Sequence, residues 1–225
     1  VHILNKEIIF PDPSKADRRG CLAFGGDLST ERLLLAYRSG IFPWFNEGQP
    51  ISWFSPNPRM VLFPDKLYVS KTMKQVLSRS YFKITYNTAF ETVMQHCAKI
   101  KRDGQYGTWI TQDMIAAYVK LHELGFAHSV EAWQNEELVG GLYGISLGKC
   151  FFGESMFAKT SNASKAAFIT FVKKLETLGF GLIDCQMHTE HLASLGAELI
   201  PRTLFLNYLK QNQKEEELFL LNKIQ

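Results

Sequence analysis

One short apolar run holds the residues best suited to chemistry. In Gly181-Leu-Ile-Asp-Cys-Gln-Met187, Asp184 and Gln186 flank Cys185. The run predicts a buried strand, on which Asp184 and Gln186 share one face and Cys185 takes the other. A carboxylate and an amide in such a place must be satisfied by each other, by backbone or by a substrate. Two readings stay open on the residues alone: a substrate-handling pair, or a hydrogen-bonded tie between strands. Glu154, within Phe151-Phe-Gly-Glu-Ser-Met-Phe157, poses a similar choice. It can anchor a cationic ligand group, or form a salt bridge to a core Arg or Lys. Phe151, Met156 and Phe171 suit an apolar pocket, and equally a plain core. Trp44 and Trp109 fall in loop-like segments, Phe-Pro-Trp-Phe and Gly-Thr-Trp-Ile-Thr. An exposed indole there is a stacking platform for a nucleobase, a mode that needs little net charge.

Other chemistry loses support. His188-x-x-His191 has metal-pair spacing but no recognisable third ligand nearby, so no metal site is expected. Cys21, Cys97, Cys150 and Cys185 lie far apart with no Cys-x-x-Cys, which fits neither zinc nor a disulfide framework; they read as buried thiols in a reducing cytoplasm. The chain has no Gly-x-Ser-x-Gly, phosphate-binding loop, His-Glu-x-x-His or dinucleotide fingerprint. Gly140, Gly141 and Gly144 sit inside a strand pattern instead, where a ligand or another backbone must come close.

The elements that must position these groups follow from pattern and punctuation. The chain has 225 residues and a formal net charge of +3 at pH 7. That is an ordinary globular composition and disfavours extensive duplex binding, while leaving room for a local basic patch. No apolar window is long enough for a transmembrane helix, and the start lacks a signal-peptide pattern. Six of the eight prolines fall in the first 60 or so residues, which read as a small N-terminal domain or lid over 1–62, with a second domain over 63–225. Ser29 caps a predicted helix over 31–39 ended by Gly40, and 40–45 reads as an aromatic turn. Ser70 opens a short helix, 81–86 a strand and 89–100 a helix. Thr111 caps an amphipathic helix over 112–124. Three strands over 128–133, 138–147 and 150–157 form a meander. A helix over 162–178, a strand over 182–186, a short helix over 188–195 and a strand over 197–200 follow, and Thr203 caps a last helix. The order predicts a mixed α/β architecture, a sheet covered by helices.

Nine segments in register then resemble one family. They are Gly25-Gly-Asp-Leu28, Gly40-Ile-Phe-Pro-Trp-Phe45, Trp53-Phe-Ser-Pro56, Gly107-Thr-Trp-Ile-Thr111, Leu138-Val-Gly-Gly-Leu-Tyr-Gly144, Gly153-Glu-Ser-Met-Phe157, Asn162-Ala-Ser-Lys165, Ile183-Asp-Cys-Gln186 and Ser194-Leu-Gly-Ala197. Together they resemble the bacterial leucyl/phenylalanyl-tRNA–protein transferases, from about residue 10 to about residue 210. Phe54 stands where that family often has Trp, and Leu142 where it often has Met.

The resemblance implies a cytoplasmic, monomeric enzyme without cofactor or membrane attachment. Its fold would be α/β, with a small N-terminal α/β domain and a C-terminal acyltransferase domain of the GNAT type. It would move Leu or Phe, and sometimes Met, from Leu-tRNA or Phe-tRNA to proteins bearing N-terminal Arg or Lys, creating an N-degron. It further implies Asp184 and Gln186 as catalytic residues, and an aminoacyl pocket of Leu142, Phe151, Met156, Phe171 and Ile183. Trp44 and Trp109 would stack on the 3′ adenosine, and Glu154 would anchor an amine or peptide. Lys99, Lys101 and Arg102, or Lys159 and Lys165, are candidates for the local basic patch. The rival readings are a cell-wall aminoacyltransferase using aminoacyl-tRNA, a coenzyme-A acetyltransferase on the same fold, which should carry a pyrophosphate loop absent here, and a non-catalytic module that binds N-degrons or tRNA ends.

Overall fold

In the computed structural model, which describes residues 2–100 and 109–212, the chain runs through eleven strands and seven α-helices among those residues. In order they are β1 (His2–Leu4), β2 (Cys21–Gly25), α1 (Thr30–Arg38), β3 (Phe42–Pro43), β4 (Ser52–Phe54), β5 (Arg59–Leu62), α2 (Lys71–Ser78), β6 (Lys83–Tyr86), α3 (Phe90–Lys99), α4 (Gln112–Glu123), β7 (Ala127–Gln134), β8 (Glu137–Leu147), β9 (Cys150–Ala158), α5 (Ala163–Thr177), β10 (Leu182–Gln186), α6 (Glu190–Ala193), β11 (Glu198–Ile200) and α7 (Arg202–Asn212). Local chemistry sets several of these boundaries. The side chains of Ser29, Ser70 and Thr111 each accept a backbone N–H three residues on, satisfying donors that a helix start leaves free. Asn135 and Glu136 both adopt positive φ between β7 and β8, the geometry that matches a hairpin to strand twist.

The strands form two sheets. The smaller has the order β1-β2-β4-β3, and the larger β11-β5-β10-β9-β8-β7-β6. In the larger sheet β9 and β10 are parallel and the other pairs antiparallel. Alternation along the strands feeds two apolar clusters. Leu182, Phe152 and Tyr143 join one that includes α1, α3, α4, α7 and the small sheet, with Trp53 and Phe205 fully buried. Ile183, Phe151 and Leu142 join a second beneath α2 and α5.

Four expectations need correction. The 40–45 turn contains β3, a two-residue strand paired with β4. β5 lies within the first 62 residues yet is hydrogen-bonded between β10 and β11 in the larger sheet, so the division between sheets falls before Arg59. α6 is only four residues long. Thr203 lies inside α7 rather than capping it; the Arg202 N–H is instead taken by Asn57 Oδ1 at 3.0 Å. The terminal 214–225 segment lies outside the described residues.

The glycines of β8 serve backbone approach. A Cβ on Gly144 would stand 2.2 Å from the Phe152 carbonyl oxygen, and one on Gly140 2.6 Å from Ala163 Cβ. Here the close neighbours are β9 and the start of α5.

Candidate active site

Two interruptions of regular pairing face each other across β9 and β10. These strands pair from Leu182↔Cys150 to Asp184↔Phe152. Beyond that point the register of β10 with β5 shifts between Asp184 and Gln186, and Gln186 takes φ 62°. On β9, Gly153 and Ser155 face Gly144 and Tyr143 of β8, leaving Glu154 as the extra residue. Such bulges re-aim side chains. The regular alternation expected of 184–186 is therefore broken, and Asp184, Cys185 and Gln186 all reach one cavity.

Asp184 is fully buried, and its carboxylate takes both arms of a guanidinium. Arg59 Nε donates to Oδ1 at 2.8 Å and Nη2 to Oδ2 at 2.7 Å. The Arg59 Nη1 group donates to the Gly40 carbonyl at 3.2 Å, while the rings of Phe42 and Phe205 lie 4.8 and 4.6 Å from the guanidinium carbon. The Gln186 backbone N–H also donates to Asp184 Oδ1, at 2.9 Å. Asp184 thus ties β10 to β5 and holds the bulge that presents Gln186.

Glu154 is buried among neutral donors. Its Oε1 accepts from Tyr37 Oη at 2.8 Å and from Gln186 Nε2 at 2.7 Å. Its Oε2 accepts one long bond from Tyr118 Oη, at 3.4 Å. The two tyrosine hydroxyls also lie within hydrogen-bond reach of each other; with the Tyr37 proton given to Oε1, the single Tyr118 proton is shared between Tyr37 Oη and Oε2. Burial pushes the Glu154 carboxyl up to about 7, and the Asp184 charge adds to the rise. Donation from Tyr37, Gln186 and Tyr118 opposes it. The core salt bridge considered for Glu154 is absent among the described residues.

The cavity holds about 590 Å³. Leu142, Phe151, Met156, Phe168 and Ile183 line an apolar wall, and Glu154, Asp184 and Gln186 a polar one. Phe171 is not brought to the wall: it stands behind Phe151, ring centroids 4.7 Å apart. Phe168, three residues earlier on α5, takes that place. Both tryptophans reach the cavity. Trp44 is partly exposed and leans on Phe54 at 5.4 Å, whereas Trp109 is only 8% exposed. Of the two indoles, Trp44 is therefore the more open.

His188 and His191 line the cavity as well, but no group of three metal-ligating side chains exists among the described residues. Burial, with the Lys165 charge nearby, lowers the His191 pKa. Cys185 is a free thiol whose pKa is pushed up by burial and by Asp184. Of the basic candidates, Lys99 is exposed and Lys159 pairs with Glu137 at 3.4 Å; Lys101 and Arg102 lie outside the described residues. Arg59, Tyr37 and Tyr118 were not singled out from the sequence. The available signal was physical: a tyrosine on the buried face of a helix needs a partner for its hydroxyl.

A mixed α/β protein with an apolar wall opposite a carboxylate–amide–tyrosine cluster is built to hold an apolar group beside a polar one. Comparison with known proteins narrows that class. The family described as "Leucyl/phenylalanyl-tRNA protein transferase" matches residues 61–210, and its N-terminal domain matches 26–57. A leucyl/phenylalanyl-tRNA–protein transferase of Flavobacterium psychrophilum is 56% identical over 94% of this chain and 100% of its own length. Another of the same name, from Myxococcus xanthus, is 56% identical over 92% of this chain and 88% of its own. The chain belongs to the leucyl/phenylalanyl-tRNA–protein transferase family. Among solved structures, a GCN5-related N-acetyltransferase from Kribbella flavida is similar at 10% identity and TM-score 0.38, over 75% of this chain and 59% of that one.

Proposed function

We propose that the protein moves Leu or Phe, and also Met, from aminoacyl-tRNA to the N-terminal Arg or Lys of acceptor proteins. The product would be an N-degron, made in the cytoplasm by a monomer with a GNAT-type catalytic domain. One observation carries the reading: a single cavity joins the apolar wall of Leu142, Phe151, Met156, Phe168 and Ile183 to Glu154, Asp184 and Gln186. An apolar aminoacyl side chain suits the first, and an incoming amine the second. An apolar wall separates near-isosteres by only about 1–3 kcal/mol, which accords with several donors sharing one pocket.

The aminoacyl ester is already activated, so the reaction needs no nucleotide site. The nucleophile is an α-amine with pKa of about 7.7–8.0, and positioning supplies much of the rate. Gln186 Nε2 donates to Glu154, which leaves the amide oxygen as the acceptor for an amine N–H. Asp184 is a positioning residue that works through the Gln186 backbone. Trp44 and Trp109 are the stacking candidates for the 3′ adenosine, and Lys165, beside His191, a candidate phosphate contact. With binding concentrated on the tRNA end, the +3 balance is sufficient and salt dependence is moderate.

The test incubates the protein with labelled Phe-tRNA and a peptide beginning with Arg. Label in the peptide is the expected result. Tight binding of both substrates without transfer would favour a non-catalytic module, and transfer only to a cell-wall precursor amine would favour the cell-wall reading.

A further inference from the structure

We infer that Glu154 accepts the proton from the attacking amine, with Gln186 aiming that amine and Tyr37 and Tyr118 as positioning residues. The inference rests on the aminoacyl-transfer reading above and assigns its proton path.

The other groups on the polar wall are poorly placed for the task. Both Asp184 oxygens lie in the Arg59 fork and Oδ1 also holds the Gln186 N–H. A proton there would leave Arg59 as an uncompensated buried charge. The Gln186 amide has no useful basicity, and the Cys185 thiol is pushed up, away from thiolate. His188 faces Glu190 at 3.8 Å on the rim. Glu154 differs from all of these. No Lys or Arg among the described residues pairs with it, so taking a proton breaks no ion pair. Its Oε1 already receives two donors, but Oε2 receives one long bond only. That leaves a lone pair for an amine N–H.

The groups that face Glu154 come from three elements. Tyr37 reaches it from α1, Tyr118 from α4, and Gln186 and Asp184 from β10. Asp184 arrives with its charge paired to Arg59 of β5, and Tyr143 of β8 packs edge-on against Tyr118. The two tyrosines remain neutral hydroxyls, because burial holds their pKa values well above 10. Burial as the main cause, with Asp184 adding, sets Glu154 to about 7, where a general base is effective at cellular pH.

The step balances. The amine lone pair forms the C–N bond to the ester carbonyl carbon, and the excess N–H proton passes to Glu154 Oε2. Collapse of the tetrahedral intermediate breaks the bond to the ribose 3′ oxygen. That oxygen leaves with the proton returned by Glu154, and the carboxylate is restored.

The experiment measures kcat against pH at saturating Phe-tRNA and Arg-peptide, for wild type, Glu154→Gln, Tyr37→Phe and His191→Asn. Wild type should show an acid limb near pH 7. Glu154→Gln should lose about 10²–10⁴-fold in kcat, with acceptor KM within a few-fold. Tyr37→Phe removes a donor that favours ionised Glu154, so its limb should move to higher pH. With a peptide whose α-amine pKa lies well below 7, so that the amine is neutral throughout, an acid limb near pH 7 should remain. Glu154→Gln with wild-type kcat and a raised acceptor KM would make Glu154 an anchor only. An acid limb that is lost with the low-pKa peptide, or that vanishes in His191→Asn and survives in Glu154→Gln, also overturns the inference. If Glu154→Gln does not fold, the Tyr37→Phe shift and the peptide series decide. Wild-type protein that transfers no label defeats the functional reading itself, a result distinct from active wild type with an active Glu154→Gln.

Discussion

Asp184 and Glu154 are buried carboxylates on adjacent strands of one sheet, and their surroundings differ in kind. Asp184 is closed into a bidentate pair with Arg59, whose guanidinium lies over the rings of Phe42 and Phe205. Glu154 is held by two phenols and an amide, all neutral. The first arrangement fixes a charge in place. The second lets the charge come and go near neutral pH. A fold that must hold a bulge still while moving a proton beside it benefits from one of each.

The difference is largest in stability. Arg59→Ala leaves Asp184 as an unpaired buried charge and strips the Gly40 carbonyl of its donor. Urea denaturation should show a loss of about 3–5 kcal/mol. The paired replacement Arg59→Met with Asp184→Leu should recover most of that loss, because a buried ion pair is often matched by apolar residues of similar volume. Transfer activity should stay low in the double variant, since Gln186 N–H no longer has Asp184 Oδ1 to hold it. Activity that returns together with stability would strip Asp184 of its positioning role.

Glu154 should show the opposite pattern, a small loss on neutralisation and a strong dependence on pH. Its folded pKa of about 7 lies above the reference 4.5. The buried acid therefore contributes stability that is fully present below pH 4.5 and lost as pH rises through 7. Each pKa unit is worth about 1.36 kcal/mol, so wild type should lose on the order of 3 kcal/mol relative to Glu154→Gln between pH 4 and pH 8. Parallel stability curves for the two proteins over that range would place Glu154 in the same class as Asp184.

The two carboxylates were visible in the sequence for the same reason: a charged residue in an apolar strand must have a partner. Their partners were not visible. Arg59 sits 125 positions from Asp184, and its own segment carries no periodicity that points across the sheet. Tyr37 and Tyr118 fall on the buried faces of α1 and α4, but a helical period says nothing about where a hydroxyl ends. The same limit explains Phe171 and Phe168. Three residues apart on α5, they share a face, and only the depth of packing against Phe151 decides which one reaches the cavity. The β7–β8–β9 meander was legible because alternation and turn chemistry are local. β1 to β5 were not, because strands of two to five residues paired across long separations leave no such pattern.

The two phenols on Glu154 offer the finest comparison. Tyr37 Oη donates at 2.8 Å to the oxygen that also holds Gln186, whereas Tyr118 Oη reaches the other oxygen only at 3.4 Å. Losing a buried donor to a carboxylate costs about 1–3 kcal/mol when the acceptor is left short. Tyr37→Phe should fall in that range, because Glu154 loses its closest phenol and Tyr118 loses its partner. Tyr118→Phe should cost less, about 1 kcal/mol or below, because Oε1 keeps both of its donors. Double-mutant cycles with Glu154→Gln measure each coupling directly. Equal couplings for the two tyrosines would mean that Tyr118 acts through Tyr37 along their shared hydrogen bond. A larger coupling for Tyr37 would mean that the open side of Oε2 is kept lightly bonded, as a proton acceptor requires.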